Sequence, residues 1–348
     1  MTVHNLAYCL KNICHYYGNT KVLDIDELKI KQGSITGLIG PNGSGKSTLL
    51  KILTFAQRPT QGQIFYKGHQ EYPFSQNIRS RITLLTQKPY LLKRTVFENI
   101  AYGLKIKQKN KLLKKAGNFD DRVKKALLDV GLDFKEFGHR QWHELSGGEA
   151  QRVAMAARLI LEPEVLLLDE PIASVDVKSA RLIRKASLNA QKEWGTTLVI
   201  ASHDLQWLYS ISDKQLSMFK GKLFSTGVEN IITEPFEKQD KNICIKKLND
   251  GQTIKLPPPA STACNAIIKK KNIFIDLEKQ KGNDNLNQLS GQIASMMLEE
   301  KTSLIMTTVT VHNISFVVGL SPDEITDLKL YPGKKVILKF NLNDIIWI

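Results

Sequence analysis

The stretch Gly40-Pro41-Asn42-Gly43-Ser44-Gly45-Lys46-Ser47-Thr48 decides the fold, because it has the spacing G-x-x-x-x-G-K-S. It follows the apolar run Ile35–Ile39 and precedes Leu49–Leu53, so a predicted strand leads into it and a predicted helix leads out. Glycines allow backbone N–H groups to surround a polyphosphate, since no Cβ blocks the approach. The start of the helix adds its positive dipole end. The stretch therefore predicts a phosphate-binding loop, in which Lys46 contacts the β- and γ-phosphates and Ser47 can ligate Mg²⁺.

Composition sets broad limits on the rest of the chain. Its 348 residues predict two domains, possibly three, and 42% hydrophobic with 24% charged residues is typical of a soluble globular protein. No apolar run approaches the ~20 residues of a membrane span. The first 17 residues lack the apolar core of a signal peptide. We therefore expect the chain to act in the cytoplasm or at its membrane surface.

The four cysteines Cys9, Cys14, Cys244 and Cys264 show no C-x-x-C spacing, so we expect reduced thiols and no metal site built on them. The formal net charge of +15 favours an anionic partner such as nucleic acid, anionic lipid or a phosphate ligand. The densest basic run is Lys105–Lys115. We interpret it mainly as a solvated loop and helix face, with contact to an anionic membrane leaflet as the alternative. No aromatic residues interleave with its lysines, which argues against stacking on single-stranded nucleic acid.

Polar side chains follow several apolar runs that are typical of buried parallel strands. Lys46 follows the first such run, Gln87 ends the second, Asp169 and Glu170 end the third, and His203 ends the fourth. Ligands of open parallel α/β sheets bind at the carboxyl ends of the strands. We therefore expect these side chains to converge on one site of an α/β fold.

Another group of motifs lies between the second and third strands. Residues 93–144 are rich in lysine and helical in pattern, which predicts a helical insert in the core. The insert is followed by Leu145-Ser146-Gly147-Gly148-Glu149-Ala150-Gln151-Arg152 and then by a helix with regularly spaced apolar residues. The glycines before that helix predict a further anion site at its N-terminus.

Taken in this order, the motifs resemble those of the ATP-binding-cassette ATPases over residues 1–228, with a helical subdomain at about 90–160. The resemblance implies a P-loop NTPase fold and a site for ATP and Mg²⁺. Tyr17 would stack on adenine, and the loop Gly40–Thr48, called Walker A, would hold the phosphates. The implied catalytic residues are Glu170 as general base, His203 as switch histidine, Gln87 and Lys46. The implied Mg²⁺ ligands are Ser47, Gln87 and Asp169.

The resemblance also implies a head-to-tail homodimer that sandwiches two ATP molecules. In such a dimer the signature residues Ser146, Gly147, Gly148, Glu149 and Gln151 would face the ATP that is bound to the second copy. Asp176 would belong to the D-loop at the same interface. The implied location is the cytoplasmic face of the membrane, beside two permease subunits.

The C-terminal part predicts a connecting segment at 229–281 and a small all-β unit of the OB-like barrel type at 282–348. This unit resembles the molybdate-binding (Mop or TOBE) module through Asn287–Gly291, the span from Ser321 to Leu330, Gly333–Val336 and Asn343–Ile345. Two basic residues common in the module are replaced by Leu286 and Asn341. The resemblance therefore leaves open whether the unit binds an oxyanion or supports dimerisation.

Together the two resemblances predict the ATPase subunit of an importer for an oxyanion, tungstate or molybdate, served by a periplasmic or extracellular oxyanion-binding protein. Two alternatives remain at this point. One is an importer ATPase for sulfate, iron or another ion. The other is a soluble cassette ATPase acting on nucleic acid or the ribosome, although the chain shows one cassette and no coiled-coil insertion. No nucleic acid partner is expected under the first interpretation.

Overall fold

The computed structural model describes residues 5–72, 75–110, 118–224, 230–240, 243–259, 265–280, 285–300 and 302–347. Two compact units make up the chain. Unit 1 is Met1–Leu208 with Ser212–Leu223, and unit 2 is Tyr209–Ile211 with Phe224–Ile348. Among the described residues, none of the helices has the length and apolar character needed to traverse a bilayer. Cys9, Cys14 and Cys244 are free thiols, and Cys264 lies outside the described residues.

The elements up to residue 224 include both strands and helices. The strands are β1 (Leu6–Tyr17), β2 (Thr20–Lys31), β3 (Ile35–Ile39), β4 (Gln61–Tyr66), β5 (His69–Glu71), β6 (Ile82–Leu85), β7 (Val165–Asp169), β8 (Thr197–Ala201), β9 (Lys214–Phe219) and β10 (Lys222–Phe224). The helices are α1 (Lys46–Leu53), α2 (Gln76–Arg79), α3 (Val96–Lys109), α4 (Phe119–Asp129), α5 (Phe134–Phe137), α6 (Gly147–Leu159), α7 (Val177–Trp194) and α8 (Leu205–Ile211).

A six-stranded sheet in the order β10-β9-β3-β8-β7-β6 forms the centre of unit 1. The pairs from β9 to β6 are parallel, and every residue of β3 and β8 is buried, as their apolar sequences predict. Ala201 of β8 pairs with Leu38 of β3 and with Asp169 of β7. The carboxyl ends of these three strands therefore lie at one edge of the sheet.

An antiparallel sheet in the order β2-β1-β4-β5 accompanies the central sheet. Its strands contribute Tyr8, Leu23 and Ile64 to the core cluster that also holds Leu50 of α1 and Leu167 of β7. Sequence patterns predict its first two strands at residues 2–9 and 22–30, of which residues 2–4 lie outside the described residues. The structure extends β1 to Tyr17, because ladder bonds to β2 continue across a bulge near the turn.

Helices α3 to α6 lie in the range 90–160, where the sequence predicts a helical subdomain. Thr95 caps α3 with a capping box to Glu98, and Asn118 caps α4 through a bond from the backbone N–H of Asp120. The lysine-rich run predicted as a solvated helix face continues into residues 111–117, which lie outside the described residues.

Unit 2 consists mainly of antiparallel strands. They are β11 (Asn230–Thr233), β12 (Glu237–Lys238), β13 (Cys244–Lys247), β14 (Thr253–Leu256), β15 (Asn265–Ile268), β16 (Phe274–Asp276), β17 (Leu286–Glu299), β18 (Leu304–Val311), β19 (Ile314–Leu320), β20 (Lys335–Asn341) and β21 (Ile345–Trp347), with the helix α9 (Pro322–Asp327) between β19 and β20. They form a five-stranded sheet, β16-β20-β17-β18-β19, and two three-stranded sheets, β11-β15-β21 and β12-β13-β14.

The strands between 230 and 276 differ from the connecting segment that the sequence predicts at 229–281. Ile232, Ile254 and Ile268 are buried in one core cluster with Val309 and Phe316 from the C-terminal strands. Strand β15 pairs with β21, and β16 pairs with β20, so both halves of unit 2 share their ladders. The segment is therefore a structural part of unit 2.

Candidate functional site

The loop between β3 and α1 has a backbone that only glycine accommodates at two points. Gly40 has φ 155°, and a Cβ there would lie 2.1 Å from the carbonyl oxygen of Met218. Gly45 has φ 107°, and a Cβ there would lie 2.8 Å from the carbonyl oxygen of Val22. Both glycines therefore lie directly against the backbone of neighbouring segments. Helix α1 begins at Lys46, the residue after Gly45.

Lys46 is a buried cation whose own loop supplies its partners. Its ammonium group donates to the carbonyl oxygens of Gly40, at 2.6 Å, and Pro41, at 3.1 Å, and the residue is 6% exposed. Burial lowers the pKa of Lys46, and the nearby charges of Glu170 and Asp169 offset part of that shift. An anionic ligand bound next to this side chain would stabilise its charged form.

One cavity of about 190 Å³ brings together the side chains from three strand ends. It is lined by Val22, Asn42, Gly43, Ser44, Gly45, Lys46, Ser47, Thr48, Gln87, Asp169 and Glu170. The predicted convergence of the loop with Gln87, Asp169 and Glu170 is therefore a feature of the structure. The sequence analysis did not identify Val22, which reaches the cavity from the start of β2.

Glu170 is held in an unusual backbone position next to this cavity. It has φ 47°, in the left-handed region that costs a residue with a Cβ on the order of 1 kcal/mol or more, and its backbone N–H donates to Ala201 at 2.9 Å. The carboxylate is 8% exposed, and its Oε2 accepts from the backbone N–H of His203 at 3.2 Å. Strand β8 therefore fixes the backbone of Glu170, and the segment that follows β8 fixes its carboxylate.

His203 faces the other carboxylate oxygen and the phosphate loop together. Its Nε2 lies 3.2 Å from Oε1 of Glu170 and 3.1 Å from Oδ1 of Asn42. Of these two contacts only the one with Asn42 is a hydrogen bond, since Oε1 of Glu170 is buried and has no hydrogen-bond partner among the described residues. His203 thus connects the phosphate loop to Glu170. The hydrogen bond between Asn42 and His203 is not indicated by the position of Asn42 in the loop motif.

Tyr17 and the signature residues do not line this cavity. Tyr17 is 49% exposed at the end of β1, its hydroxyl accepts a hydrogen bond from Nε2 of Gln57 at 2.7 Å, and its ring meets that of His15 edge-on at 4.8 Å between centroids. An exposed aromatic ring with a fixed hydroxyl can stack on a planar group. The structure places Tyr17 at the surface of unit 1, where such stacking is open to it.

The signature begins α6 with a capping box. Ser146 Oγ accepts from the backbone N–H of Glu149 at 3.3 Å, and Glu149 Oε2 accepts from that of Ser146 at 2.8 Å, which lowers the pKa of Glu149. A Cβ added to exposed Gly147 would meet no described atom within 4 Å. A Cβ on Gly148 would lie 2.5 Å from Oδ2 of Asp176, so the start of α6 packs against the D-loop residue.

Gln151 differs from the exposed signature residues Ser146 and Gly147. Its side chain is 1% exposed and points inward, where Nε2 donates to the carbonyl oxygens of Thr86 at 3.2 Å and Pro171 at 3.1 Å. The resemblance implies that Gln151 faces the nucleotide on a second copy. The inward side chain in the structure is not presented in that way. Its spacing of four from the apolar Met155 on the predicted helix could have indicated this inward face.

The residues around the cavity fit a nucleoside triphosphate with Mg²⁺. The glycine loop leaves its backbone free to approach phosphate, Ser44 has a buried hydroxyl with no hydrogen-bond partner among the described residues, and α1 adds its N-terminus. Ser47, Gln87 and Asp169 offer hard oxygen ligands, which Mg²⁺ prefers. In the described part of the chain, no group of three His, Cys, Asp or Glu residues forms a separate metal cluster.

The chain is similar to known ATP-binding proteins of import systems. A family model described as ABC transporter matches residues 23–173. The chain is 36% identical over 214 residues to the tungstate uptake system ATP-binding protein TupC of Peptoclostridium acidaminophilum, a match that covers 62% of the chain and 95% of TupC. It is 37% identical over 227 residues to the spermidine/putrescine import ATP-binding protein PotA of Mesoplasma florum, across 65% of the chain and 63% of PotA. The Fe(3+) ions import ATP-binding protein FbpC 1 of Pectobacterium atrosepticum is 37% identical over 220 residues, across 63% of the chain and 60% of FbpC 1. The chain thus spans less than two thirds of the length of these PotA and FbpC relatives.

Solved structures agree with this assignment. The dimeric ABC transporter cassette MJ0796 aligns with a TM-score of 0.57 and 27% identity over 62% of this chain and 96% of MJ0796. A post-hydrolysis dimer of the same cassette, bound to ADP and Pi, aligns with a TM-score of 0.57 and 26% identity over 63% of this chain and 98% of that one. The fold, the phosphate loop and a relative matched over nearly its whole length agree: the chain belongs to the ABC transporter family and carries its ATP-binding cassette.

Proposed function

We propose that this chain is the ATP-hydrolysing subunit of an importer. The observation that carries the proposal is the single cavity that joins Lys46 with Gln87, Asp169 and Glu170. A phosphate-binding cation, oxygen ligands for Mg²⁺ and a buried carboxylate are the parts that phosphoryl transfer to water requires. The relatives TupC, PotA and FbpC are all named as uptake or import proteins, which supports the direction of transport.

The residues of the cavity divide the chemistry between them. Lys46 and the backbone N–H groups of the loop bind the phosphates of ATP. Ser47 and Asp169, with Gln87, would hold Mg²⁺, which when bound neutralises charge on the phosphoryl oxygens. Glu170 orients a water molecule and accepts its proton, because its carboxylate is fixed by the backbone of His203 and faces the loop.

The exposed start of α6 supports a second copy of this chain as the partner. Ser146 and Gly147 are outside the cavity that holds Lys46, yet together they form a helix N-terminus with backbone donors for an anion. In a head-to-tail pair, these residues of one copy would complete the ATP site of the other. The dimers of MJ0796 provide a precedent among related cassettes.

For the cargo we propose an oxyanion, tungstate or molybdate. TupC supports this choice, since the match covers 95% of its length. PotA and FbpC 1 are equally similar over the cassette, so the cassette alone does not separate the cargoes. The Mop-like motifs of unit 2 are the second support. We propose that the oxyanion is carried by the permease, whether or not unit 2 also binds it.

The ATPase is tested with Glu170→Gln. We expect nucleotide affinity to remain within about threefold and hydrolysis to fall by 10²- to 10⁴-fold, the usual contribution of a general base. Glu162→Gln makes the same change on an exposed residue outside the cavity and should leave turnover unchanged. Near-normal hydrolysis by Glu170→Gln would remove Glu170 as the base.

The cargo is tested by reconstitution with candidate permeases in vesicles. Stimulation of ATPase by a binding protein loaded with tungstate or molybdate is the expected result. Stimulation by a binding protein loaded with sulfate, iron, polyamine or sugar instead would overturn the choice of cargo. ATPase stimulated by RNA, with a steep dependence on salt, would favour the soluble nucleic-acid enzyme over the importer.

A further inference from the structure

The side chain of Gln151 joins two backbone segments that carry proposed reaction residues. Its Nε2 donates to the carbonyl oxygen of Thr86, the residue before Gln87, and to that of Pro171, the residue after Glu170. The two carbonyls belong to the loops that leave β6 and β7. Gln151 therefore reaches from the second turn of α6 to within one residue of each of these two groups.

The local geometry requires the two donors of an amide. Both neighbours of Nε2 are carbonyl oxygens, which accept hydrogen bonds and cannot donate them, so the NH₂ group must face them. The amide oxygen of Gln151 is buried and has no hydrogen-bond partner among the described residues. Since a buried unsatisfied acceptor is unfavourable, the two donated bonds are the contacts that account for an amide at this position.

The helix that carries Gln151 touches a third loop as well. Gly148, one turn earlier, lies against Asp176, and Asp176 caps α7 by accepting from the backbone N–H of Ser179 at 2.9 Å. The first two turns of α6 thus contact three loops, which carry Gln87, Glu170 and Asp176. A displacement of α6 would reach all three loops through Gly148 and Gln151.

We propose that Gln151 is a positioning residue that holds the Gln87 and Glu170 loops in register and couples them to the signature turn of the same copy. The proposal rests on the proposed ATPase function and deepens it. Reaction rates depend steeply on such placement, since a displacement of about 1 Å can cost roughly 100-fold. Among the described residues, Gln151 has no hydrogen bond to the phosphate loop or to Lys46 and does not line their cavity, so it acts on turnover and leaves nucleotide binding to Lys46.

The first experiment compares Gln151→Met, which keeps the length but lacks both donors, with Val153→Ala, which truncates another fully buried residue of α6. Turnover and equilibrium binding of a fluorescent ATP analogue are measured below the melting temperature of both variants. For Gln151→Met we expect turnover to fall by roughly 10- to 100-fold while nucleotide affinity stays within about threefold. Val153→Ala should melt earlier yet keep turnover within about twofold.

The second experiment follows turnover of Gln151→Glu against pH. A neutral carboxyl carries one O–H donor and a carboxylate carries none, so activity relative to the natural chain should recover as pH falls. Burial raises the pKa of such a carboxyl, which brings the recovery toward the assay range. If the turnover of Gln151→Glu depended on pH in the same way as that of the natural chain, the proposal would be overturned. This test remains decisive even if Gln151→Met does not fold.

The outcomes separate this proposal from the proposed function. If the natural chain does not hydrolyse ATP, the ATPase function fails. The positioning role is then decided by amide hydrogen exchange, which should speed up at residues 86–88, 170, 172 and 173 in Gln151→Met and not in Val153→Ala. Suppose that the natural chain hydrolyses ATP and Glu170→Gln does not, so that the ATPase function stands. The positioning role alone would then be overturned if Gln151→Met kept its turnover within twofold of normal. An equal loss of affinity and turnover in Gln151→Met would also overturn it.

Discussion

Lys46 shows how a single residue prepares the site for an anion. The residue is 6% exposed, and its ammonium group donates to the carbonyl oxygens of Gly40 and Pro41 in its own loop. Burial disfavours the charged form and lowers its pKa, while the carboxylates of Glu170 and Asp169 act in the opposite direction. Polyphosphate at the loop would add further negative charge and stabilise the protonated form of Lys46.

We therefore expect Lys46→Ala to weaken ATP binding by roughly 10- to 100-fold, the equivalent of a charge-assisted hydrogen bond lost from a buried position. Lys51→Ala, on the exposed side of the same helix, is the matched control and should bind ATP normally. For the natural chain, affinity should also fall as pH rises through the lowered pKa of Lys46, because binding needs the protonated form. Isothermal titration calorimetry at several pH values measures both effects, and unchanged affinity in Lys46→Ala would remove this lysine from the phosphate site.

The sequence predicts the residues around Lys46 well, because each follows a motif with local chemistry. Gln87, Asp169 and Glu170 converge as their positions after apolar strands indicate. The left-handed backbone of Glu170 and the contact between His203 and Asn42 could not be predicted, since both depend on the register between distant strands. Such contacts are set by tertiary packing and leave no local pattern.

At the scale of elements, Glu164 connects parts of unit 1 that are remote in sequence. It stands directly before β7, accepts from the hydroxyl of Tyr66 at 2.7 Å, pairs with Lys67 at 2.7 Å and lies 3.6 Å from Arg81. Partial burial by itself would raise the pKa of Glu164, but the hydrogen bonds from Lys67 and Tyr66, with the charge of Arg81, hold it below the ordinary value of 4.5. The carboxylate thus ties the antiparallel sheet to the parallel one.

Glu164→Gln should lower the free energy of unfolding by about 1 kcal/mol at pH 7, a modest value because the side chain is 36% exposed. A lowered pKa in the folded state stabilises the fold above the unfolded pKa, and that contribution is lost as pH falls through the folded pKa. The difference between the two chains should therefore shrink below about pH 4.5. Urea unfolding from pH 3 to pH 8 measures it, with Glu162→Gln, whose carboxylate is 59% exposed, as control. An effect independent of pH would contradict the ionic origin.

At the scale of the whole molecule, unit 2 shows where sequence patterns stop being informative. Its early strands β11, β14 and β15 have four residues each, too short for a clear alternation of apolar and polar side chains. Asn230 is 3% exposed and bonds to the backbone of Val317, 87 residues later, at 3.0 and 2.6 Å. Pairing over such a distance is invisible to local patterns, and for this reason the boundary predicted at 282 differs from the structural one near 224.

Fragments test this boundary. A fragment of residues 224–348 should fold cooperatively, since it contains the partners of every strand of unit 2 that the structure describes. A fragment of residues 282–348 should remain largely unfolded, because it lacks β15, β16 and the buried Ile232 and Ile254. Thermal melts by circular dichroism and amide NMR spectra distinguish the two. A cooperative melt of the shorter fragment would restore the boundary at 282.

The largest assembly at issue is the proposed pair of chains, and Gly147 allows it to be tested without disturbing the fold. A Cβ at Gly147 meets no described atom within 4 Å, and an acidic residue in the first turn of α6 is favourable to the helix. Gly147→Asp should therefore melt at or slightly above the temperature of the natural chain. In the head-to-tail pair, however, its carboxylate would face the γ-phosphate of the ATP on the other copy and repel it.

With Glu170→Gln to slow hydrolysis, ATP and Mg²⁺ should convert monomers into dimers, as measured by light scattering after size exclusion. Adding Gly147→Asp should keep the chain monomeric while each copy still binds ATP at Lys46. Leu128→Asp places the same charge on α4, where Leu128 is already 73% exposed, and should leave dimerisation intact. If Gly147→Asp dimerises as readily as this control, the signature turn does not meet the nucleotide of a second copy, and each chain must complete its reaction centre from its own residues.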